Sequence, residues 1–288
     1  MAKIISNMIA RFANRGFGTM SVPLSRPKVL SEAQINAYEA DGYVILKDIL
    51  PSSVKENLKA WARLLEDLPE TPGKWMKYYE TDSNTGERLL CRVENFSPFF
   101  KDLKNLTEGL IKDVSSELFG EEASLYKEKI NFKMPKGNGF NAHQDQPAFT
   151  SFGINTLLTV LLPVDPNTRL SGGIDIVARE HRKKEIMPQN TDGSIRTDIE
   201  AKLNWLPVDV YPGDLVFFDS YAPHRSDVNL STFTRRNIYL TYNPSSLGYF
   251  RDKYYDEKRR LFPPECERDP NKDYSEGARV FNVANPIK

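Results

Sequence analysis

This 288-residue chain has three histidines, and one of them, His143, stands two residues before Asp145. Alternate residues of an extended strand point to one face, so an imidazole and a carboxylate at this spacing lie side by side. A second histidine from a distant strand would complete a 2-His-1-carboxylate set, which suits a non-haem ferrous ion with open coordination positions. The choice is small. His181 has Lys183 at the second position beyond it and His224 has Ser226, so only His143 can lead such a pair. His224 is the expected third donor. It follows the turn Pro212-Gly213-Asp214 and the apolar run Leu215-Val216-Phe217-Phe218, and it precedes a strand carrying Arg235 and Arg236. His181 sits in the basic run His181-Arg182-Lys183-Lys184 and is read as structural.

A keto-acid co-substrate such as 2-oxoglutarate would chelate the metal at one end. Its far carboxylate would need a planar, permanently charged partner, which favours arginine over lysine. Arg235 lies across one hairpin from His224 and can face the same cavity, with Ser226 adding a hydroxyl. Arg236 points the opposite way if both lie on the strand. One of the two is expected to bind the co-substrate. Asn131 and Lys133 alternate on a strand before the His-x-Asp pair, and Thr159 lies on the strand after it; Asn131 and Thr159 are further candidates to touch the co-substrate.

Several elements must position these groups. Ser31-Glu32-Ala33-Gln34 reads as a helix start, with serine as the cap. A short buried strand follows Gly42. Residues 51–68 read as an amphipathic helix through Val54, Leu58, Trp61, Leu64 and Leu65, and residues 101–118 as another. Between them, 69–90 is polar and rich in turn residues. With its continuation to 96 it is the candidate substrate lid. From Leu125 onward, short strand-like runs alternate with turn signals (125–134, 154–162, 173–178, 207–211, 214–218, 236–242), and 249–260 reads as a helix. The expected fold is mainly β with flanking helices, built on a double-sheet jelly-roll core.

With these residues in this order, the chain resembles the phytanoyl-CoA hydroxylase family of Fe(II)/2-oxoglutarate oxygenases. The matching residues are His143-Gln144-Asp145, Pro212-Gly213-Asp214, His224 with Ser226, Asn229 and Arg235, and Asp41-Gly42-Tyr43-Val44. The resemblance spans roughly 31–245. It implies a double-stranded β-helix (cupin-like) core, Fe(II), 2-oxoglutarate and O₂, with ascorbate as activator in vitro. It also implies hydroxylation, because iron halogenases of this superfamily lack a carboxylate ligand and Asp145 is present. Arg92-Val93-Glu94-Asn95-Phe96, Lys129-Ile130-Asn131-Phe132-Lys133, Phe217-Phe218-Asp219-Ser220-Tyr221, Tyr239-Leu240-Thr241-Tyr242-Asn243 and Lys272-Asp273-Tyr274 are similar to the aminoethylphosphonate-hydroxylating branch. An aminoethylphosphonate-type substrate is therefore the leading expectation. A secondary metabolite or an acyl thioester is the alternative within the family, and a non-catalytic jelly-roll binding protein the alternative outside it. Where many family members carry Pro-Gly-Ser-His, this chain has Ala178-Arg179-Glu180-His181. Gln146, Phe149, Tyr126, Arg92, Asn95, Tyr242 and Trp75 are the candidates to line the substrate cavity.

Composition narrows the partners. Equal numbers of basic and acidic residues give a formal net charge of zero, so no global field favours nucleic acid or an anionic membrane. Cys91 and Cys266 form no paired motif, which suits a reducing, cytoplasmic setting and a small-molecule partner. One domain over 31–288 is expected, and oligomeric state is left open. Residues 1–30 form an extension. Within 1–31 there is no acid, and Ile5, Met8, Ile9 and Phe12 fall at helical spacing. This reads as an amphipathic helix on the body, although an organellar presequence has the same character.

Overall fold

The computed structural model describes residues 28–81 and 85–282. The amphipathic segment expected near the N-terminus lies outside these residues.

Seven antiparallel strands build the large sheet, in the order β1-β8-β5-β10-β4-β3-β2. They are β1 (Tyr43–Leu46), β2 (Met76–Thr81), β3 (Arg88–Glu94), β4 (Ala123–Lys133), β5 (Leu158–Pro163), β8 (Leu215–Asp219) and β10 (Arg235–Pro244). A small sheet faces it, ordered β7-β6-β9 from β6 (Ile174–Ile176), β7 (Leu206–Val208) and β9 (His224–Ser226). A bridge between His143 and His224 adds one more rung to its edge. Two facing sheets of antiparallel strands are the jelly-roll arrangement.

Period-two alternation gives the two faces of the large sheet different chemistry. Ile130, Phe132, Val160, Leu162, Phe217, Ile238 and Leu240 pack outward with Leu58, Leu65, Ile111 and Val114 in the main core. These last four belong to the helices α2 (Ser52–Asp67) and α4 (Leu110–Phe119). The other face, toward the small sheet, is polar near its centre. There the pairings Lys133↔Arg235, Asn131↔Asn237, Lys129↔Tyr239 and Lys127↔Thr241 run side by side, with Thr159 opposite Thr241. Sequestering so many polar groups is costly without partners, and that cost marks a binding cavity.

One sequence expectation about the helices holds and two others change. The first helix, α1 (Glu32–Asp41), does have the expected Ser31 cap. The single helix expected over 101–118 is two, α3 (Lys101–Glu108) and α4, because Gly109 leaves the helical region at φ −99°, ψ −129°. The turn-rich 69–90 segment is largely a hairpin. β2 and β3 pair through Met76↔Glu94 to Thr81↔Arg88, and β3 continues the sheet beside β4. Its charged and turn residues mask two strands whose buried ends, Met76–Tyr78 and Arg92–Glu94, lie side by side. Near the C-terminus come α5 (Arg251–Leu261) and α6 (Ser275–Phe281). The buried pair of Arg251 with Glu128 of β4 pins α5 to the sheet. Among the described residues, no helix is long and apolar enough to cross a membrane.

Candidate active site

His143, Asp145 and His224 come together at the open end of the two sheets, with ligand-type atoms of all three within 4.8 Å of one another. Each imidazole Nε2 lies 3.9 Å from Asp145 Oδ1, and the ring centroids are 4.2 Å apart. The His-x-Asp pair is not on a regular strand, as the spacing suggested. His143 holds the bridge to His224 through two backbone hydrogen bonds of 2.9 Å. The chain then turns, and Asp145 sits at φ −73°, ψ −30° at the head of a 3₁₀ segment. Gly139 permits this close approach: a Cβ there would meet the Ser226 carbonyl at 1.8 Å.

The surroundings orient all three donors. His143 Nδ1 lies 2.7 Å from the Asn141 carbonyl and His224 Nδ1 3.1 Å from the Ala222 carbonyl. A proton on each Nδ1 satisfies those carbonyls and leaves each Nε2 lone pair facing the centre. Burial, then neighbouring His224, pushes His143 down to about 3, so its imidazole is neutral. Burial would raise the Asp145 carboxyl, but His224, His143, Lys127 and Lys129 together hold it well below the usual carboxylate range. Thr159 Oγ1 donates to Asp145 Oδ2 at 2.9 Å, leaving Oδ1 free. Two imidazoles with Nε2 turned inward and an oriented carboxylate fit a divalent metal of the iron type. Such outer-shell bonds govern metal affinity, so Thr159→Val is expected to weaken iron binding roughly 10- to 100-fold by metal titration.

One side of the cavity beyond this trio is basic and enclosed. Lys133 Nζ donates to Ser226 Oγ at 2.9 Å, to the Asp227 carbonyl at 2.6 Å and to the Gly172 carbonyl at 3.1 Å. Arg235 is 2 % exposed and donates to the same Gly172 carbonyl at 3.1 Å. Its buried Nε has no partner, nor does Asn131 Oδ1. Arg236 points the other way and is paired with Asp165 at 2.7 Å. A buried guanidinium with an unused N–H and a buried lysine amine, beside Ser226, Asn131 and Tyr239, fit the far carboxylate of a keto diacid.

Burial, then the Arg235 charge, pushes Lys133 down to about 6. Between that value and its unfolded value of about 10.4 the unfolded chain holds the extra proton, so this group makes stability rise with pH across that window. An arriving dianion reverses the penalty. We expect net proton uptake on 2-oxoglutarate binding at pH values above 6. Calorimetry in buffers of different ionisation enthalpy reads it, and Lys133→Met should abolish it.

The other side of the cavity opens past Asp145 to Arg92, Lys127 and Lys129, with Phe140, Ala148, Val280 and Phe281 around them. Arg92 was an expected lining residue; Lys127 and Lys129 were missed. The alternation that singled out Asn131 and Lys133 reaches them if it is continued back along β4. The remaining substrate candidates are elsewhere. Tyr126 and Phe149 pack edge to face at 5.2 Å in an aromatic core with Phe152 and Tyr254. Tyr242 falls on the opposite face of β10 and donates to the Thr107 carbonyl at 2.7 Å. Gln146 braces its own turn through the Ile154 carbonyl and Ser220. Asn95 accepts from Arg251 at 2.9 Å, and Trp75 stacks near Phe99 and Phe100. Apart from the Tyr126 hydroxyl, which is buried without a partner, a backbone carbonyl, a neighbouring side chain or the core engages each of these groups. His181 lies against Gly42, away from the trio.

The phytanoyl-CoA dioxygenase (PhyH) family profile matches residues 38–237, which include every residue of the trio. The chain belongs to that family. Over 259 residues it is 45% identical to the 2-aminoethylphosphonate dioxygenase of Uncultured bacterium HF130_AEPn_1, covering 90% of this chain and 98% of the relative. Over 234 residues it is 36% identical to the methylphosphonate hydroxylase of Gimesia maris, covering 81% and 88%. In fold it is similar to the crystal structure of EctD from S. alaskensis with 2-oxoglutarate and 5-hydroxyectoine. There the TM-score is 0.65 at 21% identity, over 78% of this chain and 81% of the other. The protein is thus a hydroxylating, iron- and 2-oxoglutarate-dependent dioxygenase acting on a small molecule.

Proposed function

We propose that this enzyme hydroxylates a C–H bond of a small phosphonate, with an aminoethylphosphonate-type compound as the leading substrate. The observation that carries this reading is the basic pocket beside the trio, where Arg92, Lys127 and Lys129 meet. Two relatives named for phosphonate substrates support it. A long acyl thioester suits such a wall poorly, because three cations would be stripped of water with no anion in return. The unpaired cysteines Cys91 and Cys266 suit a cytoplasmic setting.

His143, Asp145 and His224 are proposed to hold the iron. Arg235, Lys133 and Ser226 would take the far carboxylate of 2-oxoglutarate, with Asn131 beside it and Thr159 acting through Asp145. When bound, iron and 2-oxoglutarate with O₂ supply the oxidation of an unactivated C–H bond, with succinate and CO₂ as by-products. The protein contributes orientation and exclusion of water. The imidazoles stay correctly turned through Asn141 and Ala222. Asp145 stays ionised, held by Thr159. The hairpin β2–β3 carries Arg92 into the wall and is the remaining part of the proposed lid.

Purified protein given Fe(II), 2-oxoglutarate, ascorbate and O₂ tests the reading. Succinate should form only when 2-aminoethylphosphonate, its N-methylated forms or a related phosphonate is added. Formation with other metabolites of a broad panel but with no phosphonate contradicts it.

A further inference from the structure

We infer that Arg92, Lys127 and Lys129 form a receptor for a tetrahedral dianion, and that this receptor selects a phosphonate over the isosteric, singly charged sulfonate. The inference rests on the proposed function for the identity of the substrate, but its chemistry can be tested separately.

The charges around the cavity do not balance among the described residues. Glu94 Oε1 accepts from Lys258 at 2.7 Å and from Arg92 at 3.3 Å. Asp145 belongs to the trio. Arg92, Lys127, Lys129 and Lys258 therefore stand against Glu94 and Asp145, leaving two positive charges over. Lys127 and Lys129 are on the cavity face of β4 and make no hydrogen bond or ion pair with a described residue. Lys127 Nζ lies over the rings of Phe149 at 4.8 Å and Tyr254 at 5.5 Å, and Lys129 Nζ over Tyr239 at 5.4 Å, with Asp145 as the carboxylate of the same wall. Arg92 is 3 % exposed, and its Nε has no partner. Burial lowers both lysines below their ordinary range, as expected of ammonium groups that await an anion.

The site is also built to hold its shape. Lys258 comes from α5 and lies within 5.8 Å of the ring centroids of Tyr78, Tyr254 and Phe281. It fixes Glu94, and Glu94 holds the Arg92 guanidinium beside its strand partner Asn131. Asn282 also accepts from Arg92 at 3.3 Å. Besides His143, Gln144 and Asn282, the rest of the described wall is apolar or aromatic (Phe140, Ala148, Val280, Phe281), with Asp145 as its one carboxylate. Recognition is thus concentrated on the anionic end, while an amine would meet the rings of Phe140 and Phe281.

Binding measurements separate charge from shape. The probes are methylphosphonate and methanesulfonate, titrated calorimetrically into the full chain loaded with Ni(II) and 2-oxoglutarate. The pH is set above the second phosphonate ionisation. Methylphosphonate should bind roughly 10- to 100-fold more tightly, the range set by one additional charge-assisted contact. Arg92→Met should reduce that preference roughly tenfold, with 2-oxoglutarate affinity unchanged, and Arg92→Lys should restore part of it. If Arg92→Met does not fold, Lys129→Met read against the wild-type ratio serves the same purpose. Equal binding of the two anions by the wild-type protein overturns the receptor. Turnover of a phosphonate alongside equal binding would sink this inference and leave the proposed function standing. A retained dianion preference without turnover of any phosphonate would do the reverse.

Discussion

Replacing His143 by alanine should reduce substrate-coupled succinate formation by at least roughly 100-fold, since loss of an outer-shell partner alone costs 10- to 100-fold. Three features of the trio make this the largest expected effect. Its ligand-type atoms converge within 4.8 Å. Both imidazoles are turned by backbone carbonyls that have no other described side-chain donor. No fourth histidine or cysteine stands by, because the third histidine, His181, packs against Gly42. Asp145→Asn should be nearly as damaging, since it removes the charge that balances the metal while preserving shape. His181→Gln is the contrast, with iron content unchanged. Iron content by metal analysis and succinate by mass spectrometry separate loss of metal from loss of chemistry. Full activity of His143→Ala would falsify the assignment.

The second large effect is at Arg235. Arg235→Met should raise the 2-oxoglutarate dissociation constant roughly 10- to 100-fold, as expected for losing charge-assisted hydrogen bonds. The apoprotein should nevertheless melt no lower. Arg235 is buried beside Lys133, its Nε is unpartnered, and it makes no ion pair with a carboxylate among the described residues. An apolar side chain of similar length relieves that desolvation. Arg236→Met should give the opposite pattern. It breaks the Asp165 pair, whose Oδ2 also accepts from the Arg236 backbone at 3.0 Å, so stability falls while co-substrate affinity is kept. Thermal melts with and without 2-oxoglutarate read both arms. If Arg236→Met lost co-substrate affinity and Arg235→Met did not, the roles would exchange.

Much of the site was legible because its chemistry is sparse in the sequence. With three histidines, ordering His143, Asp145 and His224 took little more than elimination, and strand alternation separated Arg235 from Arg236. The substrate wall was less legible because aromatic and amide residues have many ways to be satisfied. Tyr242 and Phe149 had the composition of cavity residues, but Tyr242 falls on the outward face of β10 and Phe149 joins the ring cluster of Tyr126 and Phe152. Lys127 and Lys129 carried a readable signal: they share the alternation of Asn131 and Lys133. A register shift on β4 opposite Thr241 and Tyr242 ends that pattern just before Lys127. The β2–β3 hairpin was hidden by its turn residues and charges. Its main role, bringing Arg92 beside Asn131, depends on pairing with β4, a contact between residues far apart in sequence.

The account is tested most directly by anaerobic spectroscopy of the metal centre. Fe(II) and 2-oxoglutarate added together to the wild-type protein should produce the visible charge-transfer absorbance of a keto acid chelated to iron. The band should vanish in His143→Ala and require far more 2-oxoglutarate in Arg235→Met. A band of wild-type strength in His143→Ala, titrating with wild-type affinity, would contradict the centre described here.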